Sequence, residues 1–299
     1  MISANDFNDQ VELFFGDASD ALARVYVRLR GADTSGLSLG GVLTGPQCHY
    51  AQTLPARFDF VDRGRGPSLL AEAIVPEPCF WTPEMPHHYQ ASIELREGDR
   101  PIAQCQRLLG IRTLGAAGRN LIYDGKRWVV RGVGLKALIE AEIEQLHSAD
   151  TAGLVPAPSD ALCRYASRVG AMLMAELDEP RVDEIRRLAR WPAVAIVTLP
   201  ADEPLDLDGL AHNLLLAARF GARKSLKVPP WAQLAMVDVN GQTGLAEQLS
   251  QLELPVIARG CPRQAGGTIL ERRLECDGLQ RDLAGRTEFV GRDFAGYIV

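Results

Sequence analysis

The sequence predicts a multidomain β plus α/β protein: an N-terminal immunoglobulin-like β-sandwich over residues 1–117, then a reduced (β/α)8 TIM-type barrel over 118–299. Three observations carry this. The first part alternates apolar and polar residues on a short period, broken by Gly/Asp/Pro-rich turns. From about Leu121 the pattern becomes strand, helix, strand, helix, which is the grammar of a parallel barrel. Within it lies "PAVAIVTLP", a run apolar at nearly every position, as expected of a strand covered on both faces.

The sandwich strands are read from "VELFF", "ARVYVRLRG", "PARFDFV", "SLLAEAIV", "YQASIELREG" and "AQCQRLLGIRT". Between them lie "GDASD", "GADTSG", "DRGRGPS" and "EGDRP", which are turn compositions. Strands at this spacing, with no helical period among them, suit an antiparallel sandwich. No Cys…Trp…Cys pattern of an antibody-type domain is present.

The barrel opens with "RWVVRGV" as a strand. "KALIEAEIEQLHS" follows as a helix with Leu138, Ile139, Ile143 and Leu146 on one stripe. "AGLVPAP" is a strand; Ser159 or Asp160 caps the helix "ALCRYASRVG", which stops at Gly170. "AMLMAEL" is the third strand and "RVDEIRRLAR" the next helix. After "PAVAIVTLP" the sequence predicts a helix over "LDGLAHNLLLAARFG", ending at Gly221, and a strand in "RKSLKVP". "QLAMVDVNG" is a strand, "TGLAEQLSQL" a helix and "LPVIARG" a strand. The long helix "TILERRLECDGLQRDLAG" carries Leu270, Leu274 and Leu283 broadly on one side, and "FAGYIV" is the last strand. Two features fit poorly. The barrel has about 180 residues against a usual minimum near 200. Only "PWAQ" separates "LKVP" from "LAMVDV", where a parallel crossover needs roughly ten residues or more.

Composition excludes several function classes. Of 299 residues, 46% are hydrophobic and 23% charged, and the net charge is -6. A chain of this charge with scattered arginines has no nucleic-acid groove. No apolar run reaches the roughly 18 residues of a membrane span. "MISANDFNDQ" has neither the basic nor the apolar region of a signal peptide, so a cytoplasmic location is expected. The six cysteines show no C-x-x-C and the five histidines no ligand spacing, so neither metal nor cofactor is expected.

The junction between the two parts is the most specific stretch. Trp81, Pro83, Glu84, Pro86 and Tyr89 open a strand, and Gly110, Ile111 and Arg112 close the sandwich. Ile122, Asp124, Gly125 and Lys126 follow, Asp124-Gly125 between two apolar runs suiting a hairpin turn, then Val130, Arg131, Gly132 and Val133. This order resembles glycoside hydrolase family 2, the β-galactosidases and β-glucuronidases, at the end of their immunoglobulin-like domain and the start of their barrel. "ALCRYASRVGAMLMAEL", "RRLARWPAVAIVTLPADE", "LPVIARG" and "DFAGYIV" are similar, more weakly, to the family's strands 3, 4, 7 and 8. The family's large N-terminal sugar-binding sandwich has no counterpart in the chain.

The resemblance implies a retaining site of two carboxyls about 5–5.5 Å apart, at the ends of strands 4 and 7. On strand 4 either Asp202 or Glu203 takes the acid/base position, and the sugar-contacting Asn before it is replaced. On strand 7 the nucleophile position falls on Gly260, preceded by Arg259, and no acid lies between Glu253 and Glu271. Gly134-Leu135-Lys136 stand where the family has a sugar-binding Asn-Arg-His. Glu176, ending strand 3, is a further catalytic candidate and pairs with Asp202 in an inverting alternative; the opposing reading makes both rim carboxylates paired with arginine. Arg131, Asp238 and Trp231 are the substrate-binding candidates. The expected function is a family-2-like protein that has lost retaining activity and serves as a carbohydrate-binding or interaction module. Two alternatives stay open: an active glycoside hydrolase with a displaced carboxylate pair, and a structural or assembly subunit. The apolar strand "FAGYIV", with no helix after it, motivates the last and suggests a homodimer or protein partner.

Overall fold

A computed structural model describes residues 4–30, 36–66, 68–179, 181–202, 213–221, 226–240, 245–263, 266–289 and 292–299. It forms two compact units: one built mainly from Met1–Arg112, the other from Thr113 onward.

Among its described residues the first unit has a short helix, α1 (Ala4–Gln10), and eight strands. They are β1 (Val11–Ala18), β2 (Leu22–Leu29), β3 (Leu37–Gln47), β4 (Ala56–Asp59), β5 (Val61–Arg65), β6 (Leu69–Pro76), β7 (His88–Glu97) and β8 (Arg100–Leu109). Two antiparallel sheets result, ordered β1-β2-β6-β5 and β4-β3-β7-β8. Alternation along β2 sends Ala23, Val25, Val27 and Leu29 inward. They share one core with Leu39, Leu43, Ile93 and Leu95 of the opposite sheet, as a β-sandwich requires. Gly41 is needed in β3: its φ is +124° and a side chain there would strike the Ser92 carbonyl of β7.

The second unit opens with a three-stranded sheet, β9 (Leu114–Ala117), β10 (Asn120–Tyr123) and β11 (Lys126–Trp128). Asp124 and Gly125, at φ 51° and 68°, form the β10–β11 turn with both central residues left-handed.

Eight parallel strands then close a barrel. These are β12 (Val130–Gly134), β13 (Ala152–Pro156), β14 (Leu173–Glu176), β15 (Val194–Pro200), β16 (Leu215–Phe220), β17 (Leu234–Asp238), β18 (Val256–Arg259) and β19 (Gly296–Ile298). Among the described residues five helices accompany them: α2 (Glu140–Ser148), α3 (Asp160–Val169), α4 (Val182–Ala189), α5 (Leu245–Ser250) and α6 (Ile269–Ala284). Ser159 caps α3 by accepting from the Leu162 amide, and left-handed Gly170 ends it. Thr268 and Glu271 form a reciprocal capping box at the start of α6. The fold is therefore the expected sandwich followed by a reduced TIM-type barrel. Among the described residues no helix is long and apolar enough to cross a membrane.

Four local expectations are corrected. The fifth strand is Leu215–Phe220; of the expected strand "RKSLKVP", residues 223–225 lie outside the described residues and 226–229 are not in a strand. The fifth strand lies inside the stretch expected to be helical, whose residues 207–212 lie outside the described residues. Five of its six residues are buried, so burial on both faces erased the two-residue period, and Leu and Ala suit a helix equally well. The strand's new place leaves residues 221–233 as its connection to β17, which resolves the crossover that was too short. On α6, Leu270 and Leu274 are 58% exposed while Leu283 is buried; Leu283 stands nine positions after Leu274, about two and a half helical turns, which puts them on opposite sides. Ile139 is not part of the α2 stripe either: it stands at the N-cap and is exposed, whereas Ile143 and Leu146 are buried. Finally, β19 pairs with β12 on one side and β18 on the other, so "FAGYIV" presents no open sheet edge.

Candidate functional site

Strand alternation decides which side chains reach the barrel interior. Gly132 of β12 faces inward, since a Cβ there would lie 2.7 Å from Met174 of the non-adjacent strand β14. Gly296 likewise faces Val130 and Ile257. Counting two residues up each strand from Met174 and Ile257 gives Glu176 and Arg259, both inward at the C-terminal ends.

The contacts agree. Arg219 of β16 and Arg259 of β18 both donate through Nη1 to Oε1 of Glu176 on β14, across the barrel; the Arg259 bond is 2.7 Å. Arg219 also meets Asp178 at 2.5 Å. Asp238, the last residue of β17, lies 3.8 Å from Arg259 Nε. The C-terminal mouth thus carries an ionic cluster drawn from strands three, five, six and seven. Glu176 sits deepest, with its side chain 14% exposed, against 21% for Arg219, 33% for Arg259, 40% for Asp238 and 85% for Asp178. Burial pushes the Asp238 carboxyl above its ordinary range, and the positive charges of Arg259 and Arg219 offset this only in part.

Of the residues singled out from sequence, Glu176 and Asp238 converge here, and Asp238 ends its strand rather than lying within it. Asp202 is exposed on the turn after β15. Glu203 lies outside the described residues. Gly260 faces outward: a Cβ on it would come within 2.9 Å of Leu279 in α6. The inward residue at the end of the seventh strand is instead Arg259, a cation where a nucleophile would be an anion.

Two substrate-binding candidates lie elsewhere. Arg131 points to the outer side of β12, where Nε bonds Asp277 at 2.8 Å, Nη2 bonds Gln280, and the guanidinium stacks 5.0 Å from the Tyr297 ring. It clamps α6 to the barrel wall. Asp277 is held below its usual range; burial opposes this, but the hydrogen bonds from Arg131 and Arg273 outweigh it. Trp231 precedes β17 by three residues, at the N-terminal end of the strands, and packs partly buried against the outer core. That is the end opposite the mouth.

Sequence reasoning missed Arg219 and Arg259 as site residues. A signal was present: "LAARFG" and "PVIARG" both end an apolar run on Ala-Arg one or two residues before Gly. Reading the first run as helix hid the parallel.

The arrangement has defined chemical limits. A retaining glycosidase needs two facing carboxyls, one free to attack. Here a guanidinium stands between Glu176 and Asp238, and Glu176 is engaged by two cations. Among the described residues no group of three His, Cys, Asp or Glu side chains could hold a metal ion.

No family model and no curated protein sequence matches the chain. Solved structures do. The β-glucuronidase of Bacteroides uniformis aligns over 97% of this chain and 45% of its own, at 14% identity and a TM-score of 0.61. A glycosyl hydrolase family 2 member from Bacteroides cellulosilyticus aligns over 97% and 43%, at 13% identity and 0.64. The β-glucuronidase of Bifidobacterium dentium, solved with coumarin-3-O-glucuronide, aligns over 97% and 59%, at 15% identity and 0.63. The chain thus spans roughly half the length of each of these proteins. Likeness at such identities establishes architecture: the chain has the sandwich-plus-barrel fold found in family 2 glycosyl hydrolases.

Proposed function

We propose that this chain is a glycosidase-fold protein that binds a carbohydrate at the C-terminal mouth of its barrel and does not carry out retaining hydrolysis. One observation supports this above the rest. The inner rim presents Arg219 and Arg259 converging on Glu176, with an arginine, not a carboxylate, at the inward end of the seventh strand. The position of the rim favours binding, because ligand sites of parallel barrels form at the C-terminal ends of the strands. Alternating donors and acceptors suit hydroxyl groups, which both donate and accept. The solved structure with a bound glucuronide belongs to a protein of the same fold, which favours a sugar over other hydroxylated ligands. The six cysteines are all free thiols, in keeping with a reducing, cytoplasmic setting.

A hydrolytic reading draws on one observation. Asp238 has a raised pKa, as a general acid needs. The test is a panel of nitrophenyl glycosides with the intact chain, beside Asp238→Asn and Asp202→Ala. No turnover above the variants is expected. Turnover that Asp238→Asn abolishes would replace the binding reading with an inverting hydrolase. Calorimetry against neutral and acidic monosaccharides then measures binding directly.

A further inference from the structure

We propose that Cys48 and Cys79, at one end of the sandwich, are a redox-active thiol pair that a low-molecular-weight disulfide such as glutathione disulfide oxidises to a cross-sheet disulfide. Cys48 follows Gln47, the last residue of β3, which pairs with His88 at the start of β7. Cys79 follows the end of β6 by three residues, so it comes from the opposite sheet. Both segments are fixed to the same point, His88-Tyr89. The Tyr89 ring lies against the end of β3, where a Cβ on Gly45 would come within 2.6 Å of it. The Tyr89 hydroxyl accepts from the Cys79 amide at 2.9 Å. The residues after Cys79 are held to the start of β7 as well: His87 Nδ1 lies 3.2 Å from the Phe80 carbonyl oxygen, and Trp81 forms a bridge with Pro86. On the other side, the Thr53 hydroxyl donates to the Pro46 carbonyl at 2.6 Å and folds the chain back around Cys48. Both cysteines are half-buried, within reach of a small reagent.

Electrostatics agrees with this placement. Burial pushes the Cys79 thiol up, and the charge of Cys48 pushes it further, so the two sulfurs lie within electrostatic reach of each other. Cys79 is then the poorer nucleophile at neutral pH, which assigns the first attack to Cys48. The Cys48 thiolate attacks one sulfur of glutathione disulfide; the S–S bond of the reagent breaks, a mixed disulfide forms on Cys48 and one glutathione thiolate leaves. That thiolate takes the proton of Cys79. Cys79 then attacks the Cys48 sulfur, and the second glutathione leaves with the proton that Cys48 had released to water. Two protein thiols are oxidised and one glutathione disulfide is reduced to two glutathiones. Neither cysteine belongs to a strand, so the two can close to bridging distance without breaking a ladder hydrogen bond. The product ties the β3 sheet to the β6 sheet and closes a loop of about 30 residues.

The experiment treats the native full chain with excess glutathione disulfide, blocks the remaining thiols and maps its peptides by mass spectrometry without reduction. The expected product is a peptide pair linked through Cys48 and Cys79, formed at a rate independent of chain concentration and reversed by dithiothreitol. Exposed Cys261 carries glutathione in the same sample and shows that the reagent acted. In Cys79→Ser no second thiol displaces the glutathione on Cys48, so that adduct should exceed its wild-type level by at least about tenfold. The linked wild type should melt about 5 °C or more higher in its sandwich transition, a shift absent from Cys48→Ser and Cys79→Ser. Glutathione on Cys261 with no link between Cys48 and Cys79 would overturn the proposal, whether those two stayed free or each carried its own glutathione. A link from either of them to another cysteine in place of this one would overturn it too. A linked chain that melts no higher would keep the thiol pair and overturn the cross-sheet tie.

Discussion

Removing Glu176 tests whether the ionic cluster at the mouth is real and what it contributes. In Glu176→Ala two guanidiniums lose their shared acceptor and face each other. Each charge-assisted hydrogen bond contributes about 1.5–3 kcal/mol when buried, and breaking a fully buried pair costs about 3–5 kcal/mol. Here the arginines are a fifth to a third exposed, so water partly resolvates them, and the cost falls to about 2–3 kcal/mol. For a unit the size of this barrel each kcal/mol moves the melting point by about 2–4 °C, so the expected drop is roughly 5–10 °C. Differential scanning calorimetry reads it in the transition of the barrel unit. Asp178→Ala, which removes only an exposed partner, should cost less than about 0.5 kcal/mol. A double-mutant cycle with Arg219→Ala isolates the coupling. A drop below about 1 °C in Glu176→Ala would refute the cluster and, with it, the argument that Glu176 is held away from chemistry.

Four further outcomes are expected. Arg131→Ala should destabilise the barrel by about 2 kcal/mol, through loss of the Asp277 and Gln280 bonds and the stack on Tyr297, yet leave sugar affinity unchanged; a weakened affinity at unchanged stability would return Arg131 to the binding site. Gly41→Ala combines a left-handed φ with a clash on the Ser92 carbonyl and should cost the sandwich about 3 kcal/mol or more by urea unfolding. A hydrogen bond from Arg24 holds Glu72 below the usual carboxylate range, with Arg63 assisting and burial opposing. The folded pKa is depressed, so its stabilisation is present above the unfolded value and lost as pH falls through the folded one; acid titration of the sandwich transition should be shallower in Glu72→Gln. Finally, thiol labelling of the native chain at pH 8 should modify exposed Cys261 first. Cys163, pushed by burial up to about 12, and Cys105 and Cys276, also raised by burial, should stay protected until urea unfolds them; early modification of Cys163 by mass spectrometry would contradict its burial.

Much of the fold was legible because local signals agreed with tertiary structure. Alternation marked most sandwich strands, Asp124-Gly125 marked a turn that needs two left-handed residues, and Ser159 and Gly170 marked the ends of α3. The fifth barrel strand was not legible. Burial on both faces removes the period that separates strand from helix, and its neighbours in space are strands far away in the chain. The site was half legible. Glu176 and Asp238 were visible as carboxylates near strand ends, but their arginine partners were not, since each contact spans more than twenty residues of sequence and those to Glu176 cross the barrel.

The sequence by itself determined the two-part architecture, most of the strand and helix order of the barrel outside the fifth strand, and the absence of an acid near the end of the seventh strand; it did not show α1, the sandwich strand β3 or the three-stranded sheet β9–β11. Only the tertiary structure decided which side of each strand looks inward. That choice puts Arg259 in the mouth and Gly260 against α6, and sends Arg131 and Trp231 away from the site. The reason is the two-residue period of a strand: one step in register exchanges inside for outside, and in a barrel buried on both faces hydrophobicity cannot tell the two apart.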